Sequence, residues 1–163
     1  RAAWRLEALG FSEVYDYKEG KLDWLAAGLA TEGSNATRPR VGDLARKDAP
    51  VCSLDERLGV VADRVRAAGW NACVVVNDER IVLGLLRQKD FDADRRRAIE
   101  EVMQPGPSTF RPHVGAAEMA AFMVEHDLES SPITSSDGRL IGMLRRDDAV
   151  AAAHKEHEGH ENG

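Results

Sequence analysis

Two heptapeptides in this chain combine a glycine, an arginine and an aspartate at the same spacing. They are GLLRQKD at 84–90 and GMLRRDD at 142–148. A glycine lets the backbone approach a bound molecule closely, and an aspartate carboxylate can accept hydrogen bonds from both hydroxyls of a ribose. The planar guanidinium of an arginine can bind a phosphate with two hydrogen bonds. The heptapeptides therefore predict sites for a ligand that contains ribose and phosphate.

The predicted ligand contacts come from both heptapeptides and from a small-residue segment in the second half of the chain. By our hypothesis, Arg87 and Arg145 favour a polyphosphate or another highly charged ligand. The alternative is that each arginine pairs with the aspartate three residues on, for about 0.2–0.5 kcal/mol, and that the clefts are empty. The predicted binding residues are Gly84, Arg87, Asp90, Ser131, Pro132, Gly142, Arg145 and Asp148.

The heptapeptides belong to a duplicated unit. The shift that places Gly84 on Gly142, which we call the repeat offset, aligns the two halves without a gap over about 44–90. Apolar residues at helical intervals precede Gly69 in the first half and Asp127 in the second, and both residue types tolerate the left-handed conformation that ends a helix. A β-rich hairpin follows each predicted helix, and the turn Asp137-Gly138 marks the second one. Two such units are expected to pack their sheets together with pseudo-twofold symmetry.

Composition and charge exclude several partners. The chain has 163 residues, of which 43% are apolar and 31% charged, and its formal net charge is −6. This charge opposes general attraction to nucleic acid, and the basic run 95–97 is expected to be the solvated face of a linking helix. No segment approaches the roughly 20 apolar residues that a membrane span requires. We therefore expect a soluble, cytoplasmic protein that binds neither nucleic acid nor membrane.

The cysteines and histidines do not form a recognisable metal or catalytic site. Cys52 and Cys73 are the only cysteines and lie in apolar surroundings, so we expect two buried, reduced thiols. His154, His157 and His160 recur every three residues among glutamates and a lysine, but this is not a zinc spacing, and a solvated tail is expected instead. Because no nucleophile has a base beside it in the sequence pattern, the chain is predicted not to be an enzyme.

The duplication and several further residues resemble a known family over about 41–150. They are Val102, Met103, Pro105, Ser131-Pro132-Ile133, Asp137-Gly138-Arg139-Leu140-Ile141-Gly142 and the two heptapeptides. The pattern resembles the tandem cystathionine-β-synthase (CBS) domain pair, also called a Bateman module. The resemblance implies an α/β fold of the α+β kind, with two βαββα-type repeats packed sheet to sheet and a short N-terminal appendage. The family usually has Ser or Thr where Arg87 and Arg145 stand here.

The resemblance implies a regulatory, ligand-sensing module. Family members bind adenosine-containing ligands such as AMP, ATP or S-adenosylmethionine between the repeats, and they usually regulate an attached enzyme, channel or transporter. AMP or ATP is the expected ligand here, and no cofactor is required. A homodimer is expected through exposed apolar helix faces that include Met119, Phe122 and Met123. The alternative is a ligand-free dimerisation or protein-interaction module.

Residues 1–30 resemble the C-terminal end of a rhodanese domain. The resemblance rests on Gly10-Phe11, Val14-Tyr15, Gly20, Trp24 and Ala27-Gly28-Leu29. In that family the sulfur-carrying cysteine precedes these residues, so a further alternative is an inactive fragment of a rhodanese-CBS sulfurtransferase. The chain opens without methionine and is expected to be part of a longer protein. The expected boundaries are 1–30 for the remnant, 31–40 for a linker, 41–97 and 98–152 for the repeats, and 153–163 for a disordered His- and Glu-rich tail.

Overall fold

The computed structural model describes residues 38–161, with side chains as far as Lys155, together with Gly10. The rhodanese-like segment predicted at 1–30 and most of the linker predicted at 31–40 lie outside the described residues, and both stay predictions. The elements, in chain order, are α1 (Val41–Leu44), β1 (Val51–Cys52), α2 (Leu58–Ala67), β2 (Cys73–Val76), β3 (Val82–Leu86), a 3₁₀ helix (Gln88–Asp92), α3 (Ile99–Val102), β4 (Gln104–Pro105), α4 (Ala116–Glu125), β5 (Ser130–Thr134), β6 (Leu140–Arg145) and α5 (Arg146–Glu161).

The strands form one sheet in each half of the chain. In the first sheet the order is β1-β2-β3-β4, with β1 parallel to β2 and the other neighbours antiparallel. In the second sheet β5 pairs antiparallel with β6, and a parallel bridge joins Phe110 to Ile133. At the repeat offset, this bridge matches the pairing of Cys52 with Val75 in the first sheet. The fold class is therefore confirmed: two related α+β repeats, each with its own sheet.

Each sheet is completed by a segment from the start of the other repeat. Strand β4 lies near the start of the second repeat but pairs with β3 of the first, where Gln104 is opposite Leu85. Arg46 lies near the start of the first repeat and pairs with Met143 in β6 of the second, through backbone hydrogen bonds of 2.8 and 3.0 Å. We call these two segments, 45–47 and 103–105, the exchanged segments. They were not predicted, because the sequence signals mark only local hairpins.

The pseudo-twofold axis passes beside the two hairpin turns. The Leu140 amide donates to the carbonyl of Arg80 over 2.9 Å, and the Val82 amide donates to the carbonyl of Gly138 over 3.1 Å. At the repeat offset, the two residues of each bond are the counterparts of the two residues of the other bond. The predicted symmetry is therefore present in the backbone itself.

Four residues with positive φ occupy equivalent positions in the two repeats. Gly69 (φ 68°) and Asp127 (φ 50°) follow the helices α2 and α4, as predicted. Arg80 (φ 63°) and Gly138 (φ 84°) lie in the hairpin turns. Glycine adopts this region without strain, and aspartate tolerates it better than most residues do. The two repeats thus keep the same backbone where their side chains differ.

Two clusters of buried apolar side chains hold the repeats together. In the first, the buried face of α2 packs on β2, whose four residues are all buried. Leu140 and Met143 of the second sheet belong to this first cluster, so the two halves share a core. Burial of a leucine or methionine side chain contributes about 1.5–3 kcal/mol. The second cluster includes Met119 and Met123 of α4, which are 1% and 0% exposed, so the expectation that these two form an exposed dimer face is wrong.

The basic run 95–97 does not lie on a helix as predicted. It lies in turns between the 3₁₀ helix and α3, where each arginine has an acidic partner. The distances are 2.7 Å from Arg95 to Asp63, 3.2 Å from Arg96 to Asp94 and 3.1 Å from Arg97 to Glu101. The three arginines of the run are therefore paired with acidic side chains of the same chain.

Helix α5 continues to Glu161. The segment 153–163, expected to be disordered, is therefore helical over most of its length. The reason is that alanine, lysine and glutamate, which have high helix propensity, extend a helix that is already anchored by the buried Ala149 and Ala152.

Candidate functional site

The second heptapeptide spans the end of β6 and the first turn of α5. Gly142 and Arg145 belong to the strand, and the helix begins at Arg146. The first backbone N–H groups of this long helix have no intrahelical partner and favour an anion nearby. The sequence therefore placed this heptapeptide correctly, at the change from strand to helix.

The side chain of Arg145 covers the indole ring of Trp70. Its guanidinium carbon is 4.0 Å from the ring centroid, and its Nη2 donates to the carbonyl of Gly69 over 2.8 Å. Such a cation–π contact contributes about 0.5–2 kcal/mol. A cavity of about 390 Å³ adjoins the pair, and we call it the Trp70 cavity. It is lined by Gly69, Trp70, Asn71, Glu129, Arg145, Arg146 and Asp147.

The Trp70 cavity contains as many acidic as basic side chains. Arg145 and Arg146 line it together with Glu129 and Asp147. Arg146 is 3.1 Å from Asp127, and the Glu129 carboxylate accepts a hydrogen bond from the side chain of Asn71, its pseudo-symmetric counterpart. The cavity therefore has no formal net charge, which is a less favourable environment for a polyphosphate than the arginine alone indicates.

Asp148 lies in a second cavity, of about 520 Å³, which we call the Asp148 cavity. It is lined by Pro39, Asp43, Leu44, Arg46, Asp148, Ala151, Ala152 and Lys155. The Asp148 side chain is 37% exposed, but its Oδ2 atom is buried and has no hydrogen-bond partner. The Arg46 Nη1 atom is 3.8 Å from that oxygen, which is beyond hydrogen-bond distance. A buried carboxylate oxygen without a donor is costly, and a bound hydroxyl would satisfy it.

Arg46 is the basic side chain beside Asp148, and Asp48 holds it in place. The Arg46 Nε atom donates to Asp48 over 3.3 Å. This hydrogen bond is the main reason that the pKa of Arg46 is raised, and it also lowers the pKa of Asp48. Arg46 thus keeps a fixed positive charge at the edge of the Asp148 cavity.

Asp90, the counterpart of Asp148 in the first heptapeptide, has hydrogen-bond partners within the chain. Its Oδ2 atom accepts the backbone N–H of Arg87 over 2.8 Å, which caps the 3₁₀ helix. The Nε2 atom of Gln104 donates to the same carboxylate, at 3.0 Å from Oδ2 and 3.3 Å from Oδ1. Gln104 lies on one exchanged segment and corresponds, at the repeat offset, to Arg46 on the other.

The two heptapeptide glycines lie against the exchanged segments. A Cβ on Gly142 would be 2.7 Å from the carbonyl oxygen of Arg46, and a Cβ on Gly84 would overlap the sulfur of Met103. Real Cβ atoms do not approach a carbonyl oxygen so closely, so only glycine fits at 142, whereas at 84 the neighbouring atom belongs to a flexible side chain. The close approach that the structure shows at these glycines is therefore to the chain's own backbone and side chains.

Ser131 and Pro132 are buried in β5 and line neither of these two cavities. They pair with Leu144 and Met143 of β6. Sequence reasoning missed Trp70, Arg46 and Gln104. The last two occupy equivalent positions within the ungapped duplication, and this was a usable signal.

The described residues contain neither a metal-binding cluster nor a membrane-spanning helix. Between residues 38 and 161, no group of three or more His, Cys, Asp or Glu residues is arranged to hold a metal ion, and no helix is long and apolar enough to cross a membrane. Cys52 and Cys73 are free and buried, as predicted. A hydrogen bond with Cys52, together with burial, raises the pKa of the Cys73 thiol, which therefore stays protonated at neutral pH.

A family model identifies the chain. The model of the CBS domain matches residues 41–92 and 99–155, which together make up more than half of the chain. The chain therefore belongs to the CBS-domain family and contains a tandem pair. This confirms the resemblance inferred from the duplication.

Individual relatives match parts of the pair. The uncharacterized protein YtoI of Bacillus subtilis is 37% identical over 79 residues, which are 48% of this chain and 18% of YtoI. The magnesium transporter MgtE of Thermus thermophilus is 30% identical over 77 residues, which are 47% of this chain and 17% of MgtE. The match with this chain thus spans less than a fifth of the length of either relative.

Solved structures share the fold at low sequence identity. The cytosolic domain of the Mg²⁺ channel MgtE in complex with ATP has a TM-score of 0.64 and 24% identity, and the match covers 69% of this chain and 48% of that one. CBSX2 in complex with AMP has a TM-score of 0.65 and 21% identity, and the match covers 71% and 96%. At these identities the likeness supports the fold.

Proposed function

We propose that this chain is a regulatory module that binds an adenosine-containing nucleotide, AMP or ATP, in a cleft between its two CBS repeats. The observation that best supports the proposal is the Asp148 carboxylate, whose buried Oδ2 atom has no donor although it adjoins a cavity. A ribose carries two neighbouring hydroxyl groups, and each can donate to a carboxylate oxygen. Two proteins of the same fold were crystallised with such ligands, CBSX2 with AMP and the MgtE cytosolic domain with ATP.

The residues around α5 have distinct roles in this proposal. Asp148 accepts the ribose hydroxyls. The N–H of Arg146 donates to the Glu129 carbonyl over 2.9 Å, so the N–H groups that follow it in the first turn of α5 are the ones that face the phosphate in this proposal. Arg145 supplies a guanidinium that can leave the Trp70 ring to bind a phosphate oxygen, exchanging a cation–π contact for a charge-assisted hydrogen bond. Arg46 carries a positive charge beside Asp148, and this charge offsets the negative charge of Asp148 when the negatively charged phosphate of the ligand is also present. Arg87 and Asp90 are the equivalent pair of the first repeat and do not contact the ligand at Asp148. Gly84 and Gly142 face the exchanged segments, and Ser131 and Pro132 are buried in β5, so these four positions support the fold around the site.

The proposed role is binding and not catalysis. A nucleotide held between two repeats that share a core favours the arrangement of the repeats that binds it best, and an attached protein can respond to that shift in population. No cofactor takes part in this role. The attached protein that responds would lie outside the described residues.

We also propose that the chain forms a homodimer through a face of α4 and α5. An apolar groove of about 490 Å³ lies between these helices, lined by Ala117, Ala120, Ala121, Val124, Glu125, Val150, Ala153 and His154. Val124, at its edge, is 60% exposed. Burial of such a surface against a second copy removes apolar area from water at about 25 cal/mol per Å². Phe122, the remaining residue of the predicted dimer face, is half-buried and stacks on His126.

Calorimetry with AMP and ATP tests the nucleotide proposal. The variant Asp148→Asn keeps the shape of the side chain but replaces an acceptor oxygen with a donor group, so the ribose hydroxyls lose a partner. We expect the wild type to bind and the variant to lose at least tenfold in affinity, which is about 1.4 kcal/mol. Asp78→Asn is the matched control because Asp78 is exposed in the hairpin turn of the first repeat.

Two results would contradict the proposal. One is that neither nucleotide binds to the wild type, which would leave the ligand-free dimerisation or interaction module as the function. The other is that Asp148→Asn binds AMP and ATP as tightly as the wild type and Asp78→Asn do.

A further inference from the structure

The pseudo-twofold axis makes the two heptapeptides equivalent in position, but their aspartates differ in their hydrogen-bond partners. Both oxygens of Asp90 accept hydrogen bonds, from the backbone of Arg87 and from the side chain of Gln104. Asp148 has a buried oxygen that accepts none. A carboxylate has about four acceptor positions, so the bonds at Asp90 use most of them, whereas Asp148 keeps a buried oxygen unused.

The side chains on the exchanged segments explain this difference. Gln104 beside Asp90 and Arg46 beside Asp148 are counterparts at the repeat offset. Arg46 donates to Asp48, and its Nη1 atom stays 3.8 Å from Asp148. The counterpart of Asp48 is Gly106, which has no side chain that could draw Gln104 away. Gln104 therefore donates to the heptapeptide aspartate, whereas Arg46 is shared between two carboxylates.

The surroundings of the two heptapeptide arginines also differ. Arg145 lies over Trp70, which is 6% exposed and provides an aromatic platform beside a cavity. The counterpart of Trp70 is Leu128, so Arg87 has no equivalent ring.

We propose that Gln104 closes the first-repeat site from within, and that the chain binds one nucleotide, at Asp148. The amide of Gln104 occupies the acceptor positions that a ribose would need at Asp90. This inference rests on the proposed function, since it assigns the nucleotide of that function to one of two equivalent sites. Its consequence is that a single side chain sets the number of ligands per chain.

The stoichiometry of AMP binding, measured by calorimetry on the full chain, tests the inference. We expect one AMP per wild-type chain, lost on Asp148→Asn and retained on Asp90→Asn. The variant Gln104→Ala frees Asp90 and is expected to bind a second AMP. Gln88→Ala is the matched control, because Gln88 is exposed on the neighbouring 3₁₀ helix, and it should still bind one. Thermal unfolding of each variant establishes that it is folded before titration.

The outcomes separate the inference from the proposed function. If the wild type binds two AMP molecules, the inference is overturned and the function stands. If it binds one AMP whose affinity depends on Asp90 and not on Asp148, the inference is overturned together with the ribose contact proposed at Asp148. If Gln104→Ala is folded and still binds one AMP, Gln104 is not the closing residue. If neither the wild type nor Gln104→Ala binds AMP or ATP, the proposed function fails, and the inference fails with it.

Discussion

The exchanged segments make a sharp prediction about the two heptapeptide glycines. A Cβ on Gly142 would be 2.7 Å from the carbonyl oxygen of Arg46 and 3.1 Å from its carbonyl carbon. Both are backbone atoms of a paired segment and can move only if the pairing opens. A Cβ on Gly84 would instead meet the flexible end of the Met103 side chain, with the Gln104 carbonyl oxygen at 3.1 Å. We therefore expect Gly142→Ala to be much more destabilising than Gly84→Ala.

The expected loss in the free energy of unfolding depends on which atoms have to move. Gly142→Ala forces apart the segment whose backbone bonds with Met143 measure 2.8 and 3.0 Å. Overpacking costs about 1–3 kcal/mol, and each weakened hydrogen bond about 0.5–1.5 kcal/mol, so a loss of about 2–4 kcal/mol is expected. Gly84→Ala is expected to cost about 1 kcal/mol, because Met103 can change rotamer. Gly115→Ala is the control, since nothing lies within 4 Å of its Cβ position.

Urea unfolding followed by far-ultraviolet circular dichroism measures these differences. The three variants and the wild type are compared at one pH, and equal m-values establish that the free energies can be compared. The reasoning is refuted if Gly84→Ala is as destabilising as Gly142→Ala, or if Gly142→Ala unfolds at the same urea concentration as Gly115→Ala. In either case the contact with Arg46 would not constrain the glycine.

Two further predictions concern stability and assembly. A hydrogen bond with Arg64 is the main reason that the pKa of Glu56 lies below its ordinary value of 4.5, so this carboxylate stabilises the fold above pH 4.5 and loses that effect as the pH falls through the lower, folded-state pKa. Glu56→Gln should therefore be less stable than the wild type by about 0.5–1 kcal/mol at pH 7, and the gap in urea midpoints should narrow in acid; a constant gap contradicts this. Val124→Asp should convert a dimer to a monomer in sedimentation, whereas Val60→Asp, at a site 59% exposed on α2, should not; equal effects would exclude the α4–α5 face.

Most of the fold could be predicted from local patterns in the sequence. The duplication, the hairpins and the left-handed ends at Gly69 and Asp127 follow from patterns within a few residues, and the structure confirms them. The exchanged segments could not be read in this way, because Arg46 pairs with a strand nearly the whole length of the pair away. Strand pairing over such a separation has no local signature in the intervening chain.

The same separation limited the prediction of the site. The heptapeptides correctly marked the passage from strand to helix, and Asp148 does adjoin a cavity. Which aspartate keeps an unused acceptor depends on Gln104 and Arg46, whose side chains reach the heptapeptides only through the exchange. The polyphosphate hypothesis considered only the positive charges of Arg87 and Arg145, and the structure adds Glu129 and Asp147 to the cavity beside Arg145.

The exchange of edge segments between the repeats bears on how such a chain arises. A single repeat, expressed alone, would have an unpaired sheet edge and a segment with no sheet to join. Two copies of that single unit could pair each free sheet edge with the segment of the other copy. An ancestral one-repeat protein would then have been an intertwined dimer. A fusion of the two copies would then only have to join their ends. By the same logic, a chain severed in the turns between the 3₁₀ helix and α3 should reassemble from its two fragments, because each fragment carries a segment that only the other can pair.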